Sequence, residues 1–271
     1  MKDWIGEQVS HYQVIRLLER ETMLERYLGS NVSSRQEVTL YLLAEPGDEL
    51  SIRRFQRNIP IMQSLTHPCI APLLDIGIQE KTPFVVLDYL PTSRQFHPFP
   101  LPLPTVIKYA EQLIEALDFA HGKGIIHRAL SPEAILLGKQ GEILLGDFYL
   151  PVLRAASSKP LEKSLLTLAA YPAPEQYNGS PADACTDQYM LALIIYEWLC
   201  GVPPFQGPTP IERALQHIQV APPPLREKAP QLPLELEPVI QRALAKRPGE
   251  RFATLKAFGT ALLEASQATA P

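Results

Sequence analysis

The stretch "HRALSPEAILL" at 127–137 and Asp147 in "GDFYL" at 146–150 are the parts of the chain whose residue types and spacing could do chemistry. Their outline suits phosphoryl transfer. That reaction asks for a group that takes the proton of an attacking hydroxyl and for hard oxygen ligands that hold magnesium. His127, Arg128, Ser131, Glu133 and Asp147 bring polar atoms, yet Ala129 and Ala134 stand at two places where the chemistry wants them. A methyl group neither accepts a proton nor binds a hard cation.

Around that loop the chain carries, in order, "HP" at 67–68, "APEQ" at 173–176, "TDQYMLALIIYEWLCGVPPF" at 186–205 and "ALAKRPGERF" at 243–252. Each is weak alone. Their order and spacing, taken with 127–137 and 146–150, resemble the eukaryotic-like serine/threonine protein kinase family in its bacterial form, along nearly the whole chain. The resemblance implies an α+β, bilobal protein-kinase-like fold with a small β-rich N-lobe and a larger α-helical C-lobe. It also implies the parts of a phosphotransferase: a glycine-rich loop, a strand lysine paired with a helix glutamate, a catalytic-loop aspartate and asparagine, and a metal-binding aspartate.

Carried over residue by residue, the resemblance shows most of these parts replaced. The glycine-rich loop falls in "LLERETMLERYLG", where Glu19, Glu21 and Leu24 stand for the glycines and Arg26 for the valine that follows. Carboxylates there repel a triphosphate by up to ~4 kcal/mol per close pair at moderate dielectric. On its residues alone this stretch reads as a charged, solvated turn or a short helix ending at Gly29. Tyr41, in "VTLY", takes the place of the lysine, Thr39 that of a small residue over adenine, and Asn58 that of the helix glutamate. In the catalytic loop Ala129 replaces the proton-accepting aspartate, Ser131 the lysine and Ala134 the asparagine; ahead of "APEQ", Leu168 replaces a threonine. The resemblance therefore gives no intact catalytic set. It outlines a degenerate nucleotide cleft of Arg26, Thr39, Tyr41, Leu87, Tyr89, Leu136 and Asp147.

What matches the family is structural. His127 and Phe148, with Leu73 and Met62, match an apolar spine joining the lobes. Glu175 and Arg251 match a buried ion pair, Asp187 an aspartate bonding the catalytic-loop backbone, and Arg128 an anchor for the activation segment. Asp147 remains as a lone carboxylate and a poor magnesium site, and Tyr149 replaces the glycine after Phe148.

The elements that must position these residues are legible from periodicity. β-Branched, apolar stretches at 12–18, 38–44, 73–78 and 84–89 read as strands. Ile52, Phe55, Ile59 and Met62 mark one helical stripe that Pro60 interrupts, so the helix either kinks or starts late with Asn58 as N-cap. From about residue 104, Val106, Ile107, Ala110, Leu113, Ile114 and Leu117 mark a long amphipathic helix ending at "HGKG". "AILLGKQGEILLGDF" reads as a small hairpin, and "YMLALIIYEWLCGV" at 189–202, too short to span a bilayer, as a buried helix. The expected divisions are 1–90 for the N-lobe, 91–265 for the helical C-lobe and 266–271 for a tail or linker, together one protein-kinase-like domain.

The formal net charge of −4 over 271 residues argues against nucleic-acid binding, and no membrane segment is expected within this chain. Cys69, Cys185 and Cys200 are too few and scattered for a disulfide framework or a zinc site, so reduced thiols in a cytoplasmic protein are expected. "FHPFPLPLP" at 96–104 reads as an extended strap on the helical lobe or a partner-docking segment, and Ser157, Ser158 and Ser164 as loop serines within reach of Arg128. The functional expectation is a catalytically inactive pseudokinase, a binding, scaffolding or regulatory module whose partner is another signalling protein, with no cofactor. The alternative is a divergent serine/threonine protein kinase using ATP and magnesium, with Arg26 or Arg20 for the lysine and Glu133 for the base.

Overall fold

The computed structural model describes residues 2–89, 100–138, 141–157 and 171–268. Alternation of apolar and polar residues builds the upper lobe, a six-stranded sheet of β1 (Gln8–Val9), β2 (Tyr12–Arg20), β3 (Leu24–Asn31), β4 (Glu37–Leu43), β5 (Leu73–Gln79) and β6 (Thr82–Asp88). Their order is β1-β2-β3-β4-β6-β5, with antiparallel neighbours throughout. Successive side chains of a strand point to opposite faces. Val38, Leu40, Leu42, Phe84 and Val86 therefore meet Trp4, Tyr12, Val14 and Tyr27 in an outer core, while Leu43, Val85 and Leu87 belong to the larger core that continues into the lower lobe.

The stretch at 17–29 is neither a loose turn nor a short helix. Leu24–Asn31 is a full strand, paired with β2 through Glu19↔Arg26 and Arg20↔Glu25 and with β4 through Arg26↔Tyr41 and Gly29↔Val38. Buried charge hides the strand from periodicity. Glu25, fully buried, meets Arg20 Nε at 2.7 Å and accepts from the Tyr27 hydroxyl at 2.7 Å. Gly29 ends no helix; a Cβ on it would lie 2.3 Å from Leu40 Cδ1 and 2.8 Å from the Gln13 carbonyl, so only glycine lets these strands approach.

One helix, α1 (Glu49–Gln63), lies between β4 and β5, and Asp48, not Asn58, is its N-cap, accepting from the Ser51 N–H at 2.8 Å. The late start is thus excluded: the cap satisfies an orphan N–H at residue 51, and Pro60 falls in the last turn, where its missing donor removes one bond. Phe55 and Met62 are its buried side chains toward the main core.

The lower lobe is helical. Its main pieces are α2 (Leu103–Gly122), the hairpin β7 (Ile135–Leu137) with β8 (Ile143–Leu145), α3 (Leu150–Arg154), α4 (Pro174–Tyr177), α5 (Ala184–Cys200), α6 (Pro210–Gln219), α7 (Leu225–Lys228), α8 (Leu236–Ala243) and α9 (Leu255–Ser266). Buried nearly all round, α5 is the axis of this lobe; Asp183 caps it by accepting from the Cys185 and Thr186 N–H groups, and Gly201 stops it at φ 78°. Ahead of α2, Leu101 and Leu103 pack against the lower core and the Leu101 N–H donates to the Trp198 carbonyl at 2.7 Å. That end of the proline-rich stretch is a packed strap; Phe96 and Phe99 lie outside the described residues, as do Ser158, Ser164 and Leu168. Among the described residues no helix is long and apolar enough to cross a membrane.

Candidate functional site

The loop at 127–131 is held from below by one carboxylate. Asp187, fully buried on α5, accepts from the backbone N–H groups of His127 and Arg128 at 2.8 Å each and contacts His121 Nε2 at 2.7 Å. Two bonds to consecutive amides fix a sharp turn, and Arg128 takes φ 63° to make it. From the other side, Gln176 donates to the Arg128 carbonyl at 2.9 Å and accepts from the Ala173 N–H at 2.8 Å. Arg128 itself is exposed.

His127 is fully buried, and both ring nitrogens are engaged: Nε2 lies 2.8 Å from the Gly146 carbonyl and Nδ1 faces the Ala129 N–H at 3.4 Å. Its ring meets Phe148 edge-on at 4.6 Å. With both ring nitrogens engaged and the ring packed on Phe148, it is a packing residue rather than a base. Phe148 and Met62 are buried and Leu73 partly so, all in the core that joins the two lobes.

Ala129 and Ala134 bring methyl groups to the loop, and Ser131 and Glu133 bring a hydroxyl and a carboxylate. Ala129 is half-buried and Ala134 almost wholly buried, its carbonyl accepting from the Gly146 N–H at 2.8 Å. Ser131 precedes the short 3-10 turn Pro132–Ala134 without capping it, and Glu133 is exposed. Asn58 donates back to the Arg54 carbonyl of its own helix at 2.8 Å.

In the upper sheet β4 carries Thr39 opposite Leu87 and Tyr41 opposite Val85, and in the lower lobe Leu136 lies on β7. Tyr89 follows the end of β6. Beside Tyr41 on β3, Arg26 pairs with Glu19 at 2.9 Å and lies within hydrogen-bonding reach of the Tyr41 hydroxyl. Burial first, and then Asp147, push the Tyr41 phenol above its ordinary pKa, against Arg26. Tyr41 therefore stays a neutral phenol where a cation would be needed.

Asp147 adopts φ 61°, and burial pushes its carboxyl above the usual carboxylate range, opposed by His127, Arg154 and Arg26. Tyr149 sits in ordinary helical backbone at φ −89°, so this segment needs no glycine, and α3 begins directly after it. No group of three or more His, Cys, Asp or Glu residues among the described residues could hold a metal ion. Residue 134 offers Asp147 only a methyl group, and Arg26 is paired with Glu19.

Below the cleft, Glu175 and Arg251 make two contacts at 2.8 Å, and the Thr186 hydroxyl donates to Glu175 at 2.9 Å. Arg251 spends its remaining donors on the Ala245 and Cys185 carbonyls and, at 3.4 Å, on that of Lys246. Tyr171 donates to Glu197, whose carboxyl burial holds above its ordinary range.

Reading the sequence missed His121, Gln176, Thr186 and Arg154. Gln176 was in view in "APEQ", and Thr186 and His121 lie near Asp187 and His127 in the chain. Arg154 carries no signal of its own, because its partner Glu21 lies in another lobe.

Residues 27–263 match the family described as protein kinase domain. The serine/threonine-protein kinase PrkC of Bacillus subtilis (strain 168) is 30% identical over 257 residues, covering 92% of this chain and 40% of that protein. The serine/threonine-protein kinase PknF of Mycobacterium tuberculosis (strain ATCC 25618 / H37Rv) is 30% identical over 270 residues, 95% of this chain and 56% of that protein. Among solved structures, the PknI kinase domain of Mycobacterium tuberculosis superposes with a TM-score of 0.74 at 30% identity, covering 97% of this chain and 98% of that one. The chain spans less than two thirds of the length of these curated relatives.

Proposed function

The chain belongs to the protein kinase domain family, and we propose that within it this domain transfers no phosphate and works as a protein-binding, scaffolding or regulatory module in signalling. The observation that carries the reading is the pair of methyl groups at Ala129 and Ala134. One leaves the loop without a proton acceptor and the other leaves Asp147 without a second metal ligand. Tyr41 and Asn58 extend it: the cation and the helix carboxylate are replaced together, so neither is left as an unpaired buried charge. Every group that fixes the loop's backbone is meanwhile in place. In this reading the partner is another signalling protein, the setting is the cytoplasm, and no cofactor is required.

Two observations favour a second reading, a divergent serine/threonine kinase. The similar proteins are named as serine/threonine-protein kinases, and Arg26 puts a cation near Asp147. That reading still needs a new proton acceptor and a new metal ligand, and the nearest acid in the loop, Glu133, is exposed.

Thermal denaturation with millimolar ATP and magnesium or manganese separates the two. A ligand at a hundred times its dissociation constant stabilises by ~2.7 kcal/mol, a shift of several degrees for a domain of this size. The non-catalytic reading expects no shift. A metal-dependent shift lost in Asp147→Asn, together with transfer to a protein substrate, would replace it with the second.

A further inference from the structure

One ion pair of the protein's own joins the two lobes. Glu21, in the turn between β2 and β3, accepts from the Arg154 guanidinium at 2.8 Å, and Arg154 is the last residue of α3. This helix is well seated. Leu150, Leu153 and Ala156 are buried in the same cluster as Met23, Leu24 and Leu43 at that end of the hairpin, and α3 packs against α1, β4 and β6. Farther along the hairpin, Arg26 pairs with Glu19 at 2.9 Å, and its Nε is buried without a hydrogen-bond partner. Arg26 from the upper lobe and Arg154 from the lower are thus each tied to a hairpin carboxylate.

In phosphoryl-transfer sites the corresponding hairpin is held down by phosphates and the aspartate is neutralised by metal. Here the charges are reversed. The hairpin carries carboxylates, and the lower lobe answers with an arginine.

We propose that this cleft is clasped from within: the Glu21–Arg154 pair holds the hairpin on α3 with neither nucleotide nor metal. The clasp deepens the non-catalytic reading and rests on it. It makes the closed arrangement of the two lobes the resting state, so a partner meets a preformed surface without prior loading of the cleft.

Charge reversal tests the clasp in the intact chain. Glu21→Arg and Arg154→Glu each set like charges face to face, and the double exchange Glu21→Arg/Arg154→Glu restores an opposite pair with its direction inverted. Amide hydrogen exchange is read over residues 18–28 and 149–155 at low salt, without nucleotide. Each single variant is expected to exchange about fivefold faster in both segments, which corresponds to ~1 kcal/mol, the upper range for a pair of this exposure. The double variant is expected to return to wild-type rates, and millimolar ATP with magnesium to leave the wild-type rates unchanged. Single variants at wild-type rates, a double variant no slower than the singles, or protection of the hairpin by ATP and magnesium would overturn the proposal. A failed charge exchange leaves the absence of phosphate transfer standing, because that is read from the product.

Discussion

Replacing Glu175 with alanine removes the carboxylate paired with Arg251 below the cleft, and the cost follows from what is left behind. The Arg251 side chain is fully buried and that of Glu175 is 7% exposed, so water cannot take over the vacated positions. The guanidinium would keep its bonds to the Ala245 and Cys185 carbonyls, at 2.9 and 2.8 Å, but no counter-charge. Breaking one partner of such a pair costs ~3–5 kcal/mol, a large share of the ~5–15 kcal/mol that holds a typical domain. At ~2–4 °C per kcal/mol for a domain of this size, the melting temperature should fall by roughly 10 °C. Removing both charges together, as Glu175→Met/Arg251→Met, should cost less than either single change, because no charge is stranded. The same pair sets a pH dependence. Burial pushes the Glu175 carboxyl upward, but the Arg251 bonds and charge outweigh it and leave its pKa below the ordinary value. A depressed carboxylate stabilises above its unfolded pKa, near ~4.3, and that stabilisation disappears as the pH drops through the folded value. Urea titrations between pH 7 and pH 2 should therefore show a shallower acid slope in Glu175→Gln than in the wild type. A loss below ~1 kcal/mol in Glu175→Ala, or identical acid slopes, would refute the reasoning.

Three further outcomes are expected. Lys246, whose ammonium lies 4.3 Å over the Phe205 ring, is lowered to about 8 by burial and then by Arg251; since the unfolded chain binds that proton up to ~10.4, stability should rise between pH 8 and 10 in the wild type and stay flat in Lys246→Met, by denaturant titration. Gly201→Ala forces a side chain into φ 78° at the end of α5 and should cost ~1–2 kcal/mol, read as a lower urea midpoint with an unchanged slope. Ala129→Asp alone should leave the domain unable to transfer phosphate, because Ala134 and Tyr41 still withhold the metal ligand and the cation, as a radiolabel assay would show.

The legible parts of this protein are those where one physical signal acts alone. α2 and α5 are visible because long apolar periodicity needs no partner to be read. The 135–145 hairpin is visible because two short apolar runs flank a glycine turn. β3 was hidden, since its Glu25 and Arg26 look solvated until Arg20 and Tyr27, or Glu19 and Tyr41, are placed beside them. The start of α1 was left open because a proline inside a stripe points to either end of a helix, and only the Asp48 cap decides it. The order of motifs points to Tyr41, Ala129 and Ala134 as replaced positions, but it carries no signal for what occupies the cleft. The Glu21–Arg154 contact joins two stretches 133 residues apart, and no local pattern pairs them.

The most direct test of the central claim is intact-mass spectrometry of the purified domain, incubated for hours with a generic protein substrate, millimolar ATP and either magnesium or manganese. The account predicts unchanged masses for both proteins. Phosphate adducts on either one that disappear in Asp147→Asn would contradict it.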